Sequence, residues 1–325
     1  MKVFVTGGTG LVGSNVIKVA RERYGAQVIA SMRNRLPAAD LGCEIERLDI
    51  VDQAAVSAAL KKHRPDVVIH CAATVDQDLL EKDHALGWSL MVDATRYIGQ
   101  ACGEVGAKLI FVSSDWVFDG RNPPYKENTP PCPMNYYGLL KVVGETVVSS
   151  LGIDYGIARI AAVYGRNWAF PDWEPQERVT GFGTLPNWML KMLREGQEIV
   201  EWMDHINIEA NPTLASDCAD AMLTIYTKGV QGIFHCCGRD PVTRVELGRL
   251  VARTFGFDPA RVRAATAAEL EEIGRTTGFG PPVPYRTCLD VSETERILGR
   301  TNIGVAEGLR RWKEENLEEH LSVPH

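Results

Sequence analysis

The sequence lacks the features of several common protein classes. No run approaches the roughly 20 apolar residues of a membrane span, so no membrane partner is expected. There is no excess of positive charge: 35 Lys and Arg against 42 Asp and Glu give a net charge of −7, which argues against a nucleic-acid partner. The chain begins with neither a basic segment nor a long apolar stretch, so we expect no signal peptide.

Cysteine is present, but not in a pattern that binds metal or forms a disulfide framework. None of the eight cysteines has CxxC spacing, and several, such as Cys71 and Cys236, lie in apolar runs. Buried, reduced thiols of a cytoplasmic protein are the expected state, and no metal site is expected.

The N-terminal region contains a glycine-rich turn. Residues 6–13 read TGGTGLVG and follow an apolar run, a pattern typical of a strand, a tight turn and a helix that together bind a dinucleotide. Gly7 permits the turn, Gly10 lets the backbone approach a pyrophosphate, and Gly13 lets the helix pack closely on the strand. The free N–H groups at the helix start would bind the phosphates. An ordinary glycine-rich loop is the alternative.

A tyrosine and a lysine lie four residues apart downstream. On a helix Tyr137 and Lys141 share one face, and a neighbouring ammonium would lower the pKa of the phenol from its usual value of about 10. The phenol could then donate a proton to a carbonyl oxygen while hydride reaches the carbon. Ser114, at the end of an apolar strand, could bond the same oxygen. Tyr136 is the rival phenol, but Leu140 stands four residues after it. A surface Tyr–Lys pair is the alternative interpretation.

The end of the second predicted strand indicates which cofactor binds. NAD-dependent enzymes place an acidic residue about 20 residues after the glycine motif, whereas this chain reads Ser31-Met32-Arg33 there. Ser31 and Arg33 suit a ribose 2′-phosphate, so NADP(H) is favoured over NAD(H). A solvated basic turn is the alternative. Asp49 could meet the adenine end or cap the following helix.

Strand-like and helix-like segments alternate through the first half of the chain. This alternation predicts an α/β fold with a Rossmann-type, doubly wound parallel sheet. We expect residues 1–165 to form the NADP-binding domain and residues 166–325 a smaller, interleaved C-terminal substrate domain. A segment near 230–240 is expected to return to the main sheet.

These motifs resemble those of the extended short-chain dehydrogenases/reductases, and more narrowly the dTDP-4-dehydrorhamnose reductase group. The resemblance runs from residue 1 to about 300 and rests on seven segments: Thr6 to Gly13, Val68 to Ala73, Phe111 to Gly120, Tyr137 to Lys141, Arg159 to Gly165, Asn211 to Thr213 and Tyr285 to Asp290.

The resemblance implies a role for each matching position. Ser114, Tyr137 and Lys141 would be the catalytic residues. The cofactor would be held by these side chains and backbone groups: Gly7, Thr9, Gly10, Leu11, Val12, Gly13, Ser31, Arg33, Asp49, Ile50, Cys71, Ala72, Ala73, Thr74, Tyr137 and Lys141. The substrate would meet Asp76, Trp116, the loop at Trp168 and Arg286, the last facing a phosphate. The resemblance also allows a homodimer.

Three departures from the group bear on the substrate. Met91 stands where many relatives have an asparagine that supports the lysine, Ala161-Ala162 replaces a Ser-Trp pair, and the loop from Trp168 to Trp173 is longer than expected. Trp116 also replaces the tyrosine usual in its segment.

The expected function is NADPH-dependent reduction of a keto group on a nucleotide-linked 4-keto-6-deoxy sugar. Alternatives are reduction of another carbonyl compound, nucleotide-sugar epimerisation, and a non-catalytic NADP-binding regulatory subunit. Dehydratase chemistry is less favoured, because Asp115 is followed by Trp116 and not by the usual glutamate.

Overall fold

The computed structural model describes residues 1–175, 181–272 and 281–321. Its strands are β1 (Lys2–Thr6), β2 (Gln27–Met32), β3 (Glu44–Arg47), β4 (Val67–His70), β5 (Lys108–Ser114), β6 (Tyr155–Ile160), β7 (Val163–Tyr164), β8 (Ile199–Trp202), β9 (Glu209–Ala210), β10 (Thr213–Leu214), β11 (Gly232–His235), β12 (Val242–Thr243), β13 (Val262–Ala265) and β14 (Arg286–Thr287).

The α-helices alternate with these strands through the first half of the chain. They are α1 (Leu11–Tyr24), α2 (Gln53–His63), α3 (Gln77–Lys82), α4 (His84–Trp88), α5 (Ala94–Val105), α6 (Tyr136–Ser150), α7 (Leu185–Arg194), α8 (Ala215–Thr227), α9 (Arg244–Phe255), α10 (Ala267–Glu272), α11 (Ser292–Leu298) and α12 (Val305–Leu321). A π-helical turn, Ser89–Asp93, joins α4 to α5.

A seven-stranded sheet of order β11-β6-β5-β4-β1-β2-β3 forms the centre of the molecule. Every neighbouring pair in it is parallel. Parallel strands need a covering helix layer on each face, because both faces carry apolar side chains. The predicted doubly wound α/β class is thus confirmed. Strand β11, from the second half of the chain, pairs with β6 at the sheet edge.

Two apolar cores lie on opposite faces of this sheet. One joins α1 and α8 to the strands through residues such as Val16, Ile17 and Met222. The other joins α2, α5 and α6 through residues such as Leu60 and Ile98. This packing fixes the carboxyl ends of β1, β4 and β5 side by side, where ligands of such sheets bind.

The later part of the chain has a core of its own. Leu185, Met189, Leu247 and Leu309 pack helices α7, α9 and α12 together with short strands. Within the described ranges, no helix is both long enough and apolar enough to cross a lipid bilayer.

Candidate active site

The glycine-rich turn between β1 and α1 has no room for a side chain at Gly7 or Gly13. Gly7 has φ of 67°, and a Cβ on it would lie 2.8 Å from the backbone of Ala72. A Cβ on Gly13 would lie 2.2 Å from the carbonyl oxygen of Gly7. Gly10 precedes α1, and no side chain in the described part of the chain caps that helix, so its first N–H groups and its positive dipole end are available to an anion.

The end of β2 supplies groups that suit a phosphorylated ribose. Ser31 Oγ is buried and has no hydrogen-bond partner among the residues described, and the exposed Arg33 side chain lies just beyond the strand. Arg47 Nε donates to the Arg33 carbonyl oxygen over 3.1 Å and so fixes the backbone there. An orphaned hydroxyl, an exposed guanidinium and an uncapped helix start together fit NADP(H).

Asp49 does not cap the following helix. Asp52 caps α2 by accepting from Ala55 N, whereas Asp49 Oδ1 accepts from Val51 N over 3.2 Å. Asp52, and not Asp49, therefore caps α2, and contact with the adenine end is the role that remains predicted for Asp49. Asp49 and Ile50 lie in the turn that follows β3, half-buried.

A directional chain of hydrogen bonds ties β4 to β1 and to the π-helical turn. Thr95 Oγ1 donates to the Met91 carbonyl oxygen over 2.7 Å, so it accepts from His70 Nε2. His70 Nδ1 then accepts from Thr6 Oγ1, which itself accepts from Ala72 N. Burial lowers the pKa of His70 to about 3, with a further lowering by Lys141, so the imidazole is neutral. This series of hydrogen bonds holds the start of the Cys71–Thr74 segment against the glycine turn.

Helix α6 carries the tyrosine and the lysine. It begins at Tyr136, and Asn135 Oδ1 accepts from Gly138 N as the N-cap. Tyr136 turns away from the site, because its hydroxyl donates to the His84 carbonyl oxygen and its ring stacks on His84. The backbone of α6 closely approaches the turn that follows β5: a Cβ on Gly138 would lie 2.3 Å from the Trp116 carbonyl oxygen. Sequence reasoning missed this role of Gly138.

Burial dominates the electrostatics of the Tyr–Lys pair. It lowers the pKa of Lys141 to about 8, opposed by Cys71 and Glu145. It raises the pKa of Tyr137 to about 12; Ser114 lowers this value and Asp115 raises it. The expectation that Lys141 lowers the pKa of Tyr137 is therefore wrong. Lys141 Nζ lies 5.8 Å from the Tyr137 ring centroid and donates to the Val112 carbonyl oxygen over 2.8 Å.

Ser114 lies at the carboxyl end of β5 and makes two hydrogen bonds. It accepts from Trp116 N over 3.2 Å and donates to Asp115 Oδ1 over 3.0 Å. Asp115 is 5% exposed, and burial raises the pKa of its carboxyl to about 6. In the sequence, Asp115 serves only as evidence against a dehydratase. Its position directly after a strand-terminal serine was the available signal.

Of the predicted substrate residues, Trp116 flanks this centre. Trp116 is buried and meets the Tyr137 ring edge-on, with centroids 5.9 Å apart and an interplanar angle of 87°. Gly181, from the second half of the chain, packs against the Trp116 indole. Asp76 follows the Cys71–Thr74 segment, but its carboxylate accepts from Leu79 N as the N-cap of α3.

Arg286 lies on β14 beside the segment that follows Ser114. Its backbone N donates to the Gly120 carbonyl oxygen over 3.1 Å. Its guanidinium pairs with Glu209 over 3.0 Å and its side chain is 43% exposed. Glu209 is within reach of Arg286 because β14 and β9 place residues 286 and 209 in register.

Trp168 packs on the side of α1. Its indole Nε1 donates to Asn15 Oδ1 over 3.1 Å, and Lys18 Nζ stands 4.1 Å from its ring centroid. Its assignment to the substrate pocket stays a prediction. Neighbouring Asn167 donates to the Thr9 carbonyl oxygen in the glycine turn.

Residues 1–276 match the family model described as RmlD substrate binding domain. A probable low-salt glycan biosynthesis reductase, Agl14, of Haloferax volcanii is 30% identical over 92% of this chain and 93% of that protein. The dTDP-4-dehydrorhamnose reductase of Streptomyces griseus is 32% identical over 82% of this chain and 80% of that protein.

Another relative does not carry the name of a reductase. Methionine adenosyltransferase 2 subunit beta of Xenopus tropicalis is 28% identical over 96% of this chain and 90% of that protein. Among solved structures, dTDP-4-dehydrorhamnose reductase from Bacillus anthracis in complex with NADP superposes with a TM-score of 0.76 at 22% identity, covering 97% of this chain and 99% of that chain. This likeness shows a shared fold.

Proposed function

We propose that this chain, which belongs to the RmlD substrate binding domain family of NAD(P)-dependent oxidoreductases, uses NADPH to reduce a keto group on a nucleotide-linked sugar. The observation that carries the proposal is the convergence of Ser114, Tyr137 and Lys141 at the carboxyl ends of the parallel strands, where the glycine turn also lies. NADP in a structural neighbour supports the choice of cofactor.

The residues divide the work of carbonyl reduction. NADPH, when bound, supplies the hydride. Tyr137 donates its phenolic proton to the carbonyl oxygen, and Ser114 stabilises the negative charge that develops on that oxygen. Lys141, held by the Val112 carbonyl oxygen at one of its three donor positions, keeps two for the cofactor ribose. Trp116, edge-on to Tyr137, limits the space for the sugar ring.

The proposed substrate is a 4-keto-6-deoxy sugar linked to a nucleoside diphosphate. The names of two relatives, a dTDP-4-dehydrorhamnose reductase and a glycan biosynthesis reductase, support this class. In a chain of net charge −7 the diphosphate needs local positive charge, and Arg286 would supply it by exchanging Glu209 for a phosphate.

A second candidate function is a non-catalytic NADP-binding regulatory subunit. The similarity to methionine adenosyltransferase 2 subunit beta favours it. A regulatory protein has no need for a proton donor, whereas this chain keeps the serine, the tyrosine and the lysine. Turnover of NADPH with a keto-sugar distinguishes the two candidates.

The test uses Tyr137→Phe, which removes only a hydroxyl. General acid catalysis is worth about 10²–10⁴ in rate, so turnover of dTDP-4-dehydrorhamnose with NADPH should fall on that scale. NADPH binding, followed by fluorescence titration, should be unchanged. Tyr136→Phe is the matched control, because the Tyr136 hydroxyl donates to the His84 carbonyl oxygen, and this variant should keep the wild-type turnover.

Near-normal turnover of Tyr137→Phe would contradict the assignment of Tyr137 as the proton donor. A wild type that binds NADPH but reduces no keto-sugar in a panel would favour the regulatory candidate.

A further inference from the structure

The hydroxyl of Ser114 has a single proton, and that proton is directed at Asp115. Ser114 Oγ donates to Asp115 Oδ1 over 3.0 Å and accepts from Trp116 N over 3.2 Å. A serine hydroxyl offers one donor and two acceptor sites. While this bond exists, Ser114 cannot donate to any other oxygen.

Carbonyl reduction requires the opposite orientation. A developing oxyanion is stabilised only by groups that donate to it. The Ser114 hydroxyl must therefore turn from Asp115 to the substrate, and an ionised Asp115 would oppose that turn because a carboxylate only accepts. A protonated Asp115 has its own proton to donate to Ser114 Oγ, which leaves the Ser114 proton for the substrate oxygen.

We propose that Asp115 is a positioning residue for the reduction: as a neutral acid it releases the Ser114 hydroxyl to the carbonyl oxygen, and as a carboxylate it withholds it. The inference rests on the proposed reductase function. Asp115 touches neither hydride nor carbonyl: it acts on the carbonyl oxygen through Ser114, apart from the effect of its charge on the Tyr137 phenol.

The surroundings of Asp115 favour the neutral acid. The titratable groups that face it from other elements of the described structure are Tyr137 on α6, Cys237 after β11 and Cys288 after β14. Burial raises the pKa of each of these three groups, so all are neutral near pH 6. The buried Thr287 hydroxyl and Ser114 lower the pKa of Asp115, but burial outweighs them and raises it to about 6.

The raised pKa of Asp115 sets the direction in which turnover should change with pH. A raised acid pKa keeps Asp115 protonated below about pH 6 and ionised above it. Turnover at saturating NADPH and substrate should therefore be highest at low pH and fall through this midpoint to a lower plateau. Loss of one charge-assisted donation predicts a fall of about tenfold to a hundredfold.

The experiment is a double-mutant cycle measured from pH 5 to 7, below the pKa of about 8 of Lys141. Asp115→Asn keeps the shape and carries amide donors at every pH, so its turnover should be independent of pH and within about threefold of the wild-type maximum. Ser114→Ala removes the hydroxyl that is oriented, so its reduced turnover should vary less than about threefold with pH, and adding Asp115→Asn to it should change nothing further. Asp258→Asn, an exposed N-cap where asparagine serves equally, is the matched carboxyl control.

Two outcomes would overturn the proposal. One is an Asp115→Asn variant that keeps the wild-type pH profile or loses turnover more than a hundredfold while still binding NADPH. The other is a wild-type pH dependence that persists in Ser114→Ala, since Asp115 would then act on Tyr137 through its charge.

A measurement without substrate separates this proposal from the reductase function. The ¹³Cγ chemical shift of Asp115, assigned by its loss in Asp115→Asn, should titrate near pH 6 in the wild type. In Ser114→Ala the midpoint should rise, because the Ser114 hydrogen bond stabilises the carboxylate. A wild-type midpoint near 4, or a midpoint that Ser114→Ala leaves in place, overturns the proposal even if no keto-sugar is ever turned over. Absence of turnover alone contradicts only the proposed function.

Discussion

Gly13→Ala should impair cofactor binding far more than it affects the fold. A Cβ on Gly13 would lie 2.2 Å from the Gly7 carbonyl oxygen and 2.9 Å from the Gly7 carbonyl carbon, both backbone atoms that cannot rotate away. Non-bonded heavy atoms prefer about 3.5–4.0 Å, so the turn or the helix must move by roughly 1 Å. That movement displaces the N–H groups at the start of α1.

Two opposing effects set the expected change in the stability of Gly13→Ala. Overpacking of a fitted site costs about 1–3 kcal/mol, and the better helix propensity of alanine returns about 1 kcal/mol. The net loss of stability is then about 0–2 kcal/mol. Misplacing even one charge-assisted hydrogen bond to the pyrophosphate costs about 1.5–3 kcal/mol, or roughly tenfold to over a hundredfold in the dissociation constant of NADPH.

The assay pairs NADPH fluorescence titration with thermal unfolding of the chain without ligand. Gly103→Ala is the matched control, because Gly103 is also helical and its Cβ would meet only a side-chain methyl of Ile153 at 3.2 Å. The control should bind NADPH normally and unfold at an equal or higher temperature. If Gly13→Ala binds NADPH within twofold of the wild type, the inferred contact between helix start and pyrophosphate is refuted.

Two further predictions concern the arginines. Arg33→Ala should weaken NADPH binding by roughly tenfold to over a hundredfold and NADH binding much less, because only NADPH has the 2′-phosphate; equal losses in parallel titrations would contradict NADP(H) specificity. Arg286→Ala should raise KM for a diphosphate-linked keto-sugar by about tenfold and leave NADPH affinity unchanged, whereas Glu209→Gln, which frees the guanidinium, should leave KM equal or lower. An unchanged KM in Arg286→Ala, or a best substrate that is a small uncharged ketone, would contradict the nucleotide-linked substrate.

Features imposed by local backbone geometry could be predicted from the sequence. The glycine spacing in residues 6–13 reflects close approaches that no side chain tolerates, and the spacing of Tyr137 and Lys141 reflects one helical turn. The alternation of apolar strands with helices was enough to predict a parallel sheet, because apolar strands of this kind must be covered by helices on both faces of the sheet. Asn135 was identifiable as a cap because its side chain bonds within its own helix turn.

Features that depend on which distant segments pack together were decided only by the tertiary structure. Trp168 packs on α1, and Arg286 pairs with Glu209, because the fold brings residues far apart in the chain into contact. The raised pKa of Tyr137 and of Asp115 comes from burial by several elements at once, which no local pattern records. The sequence by itself thus determined the backbone and residue types of a dinucleotide-binding reductase site, and the packing around it decided which protons and charges that site presents to a substrate.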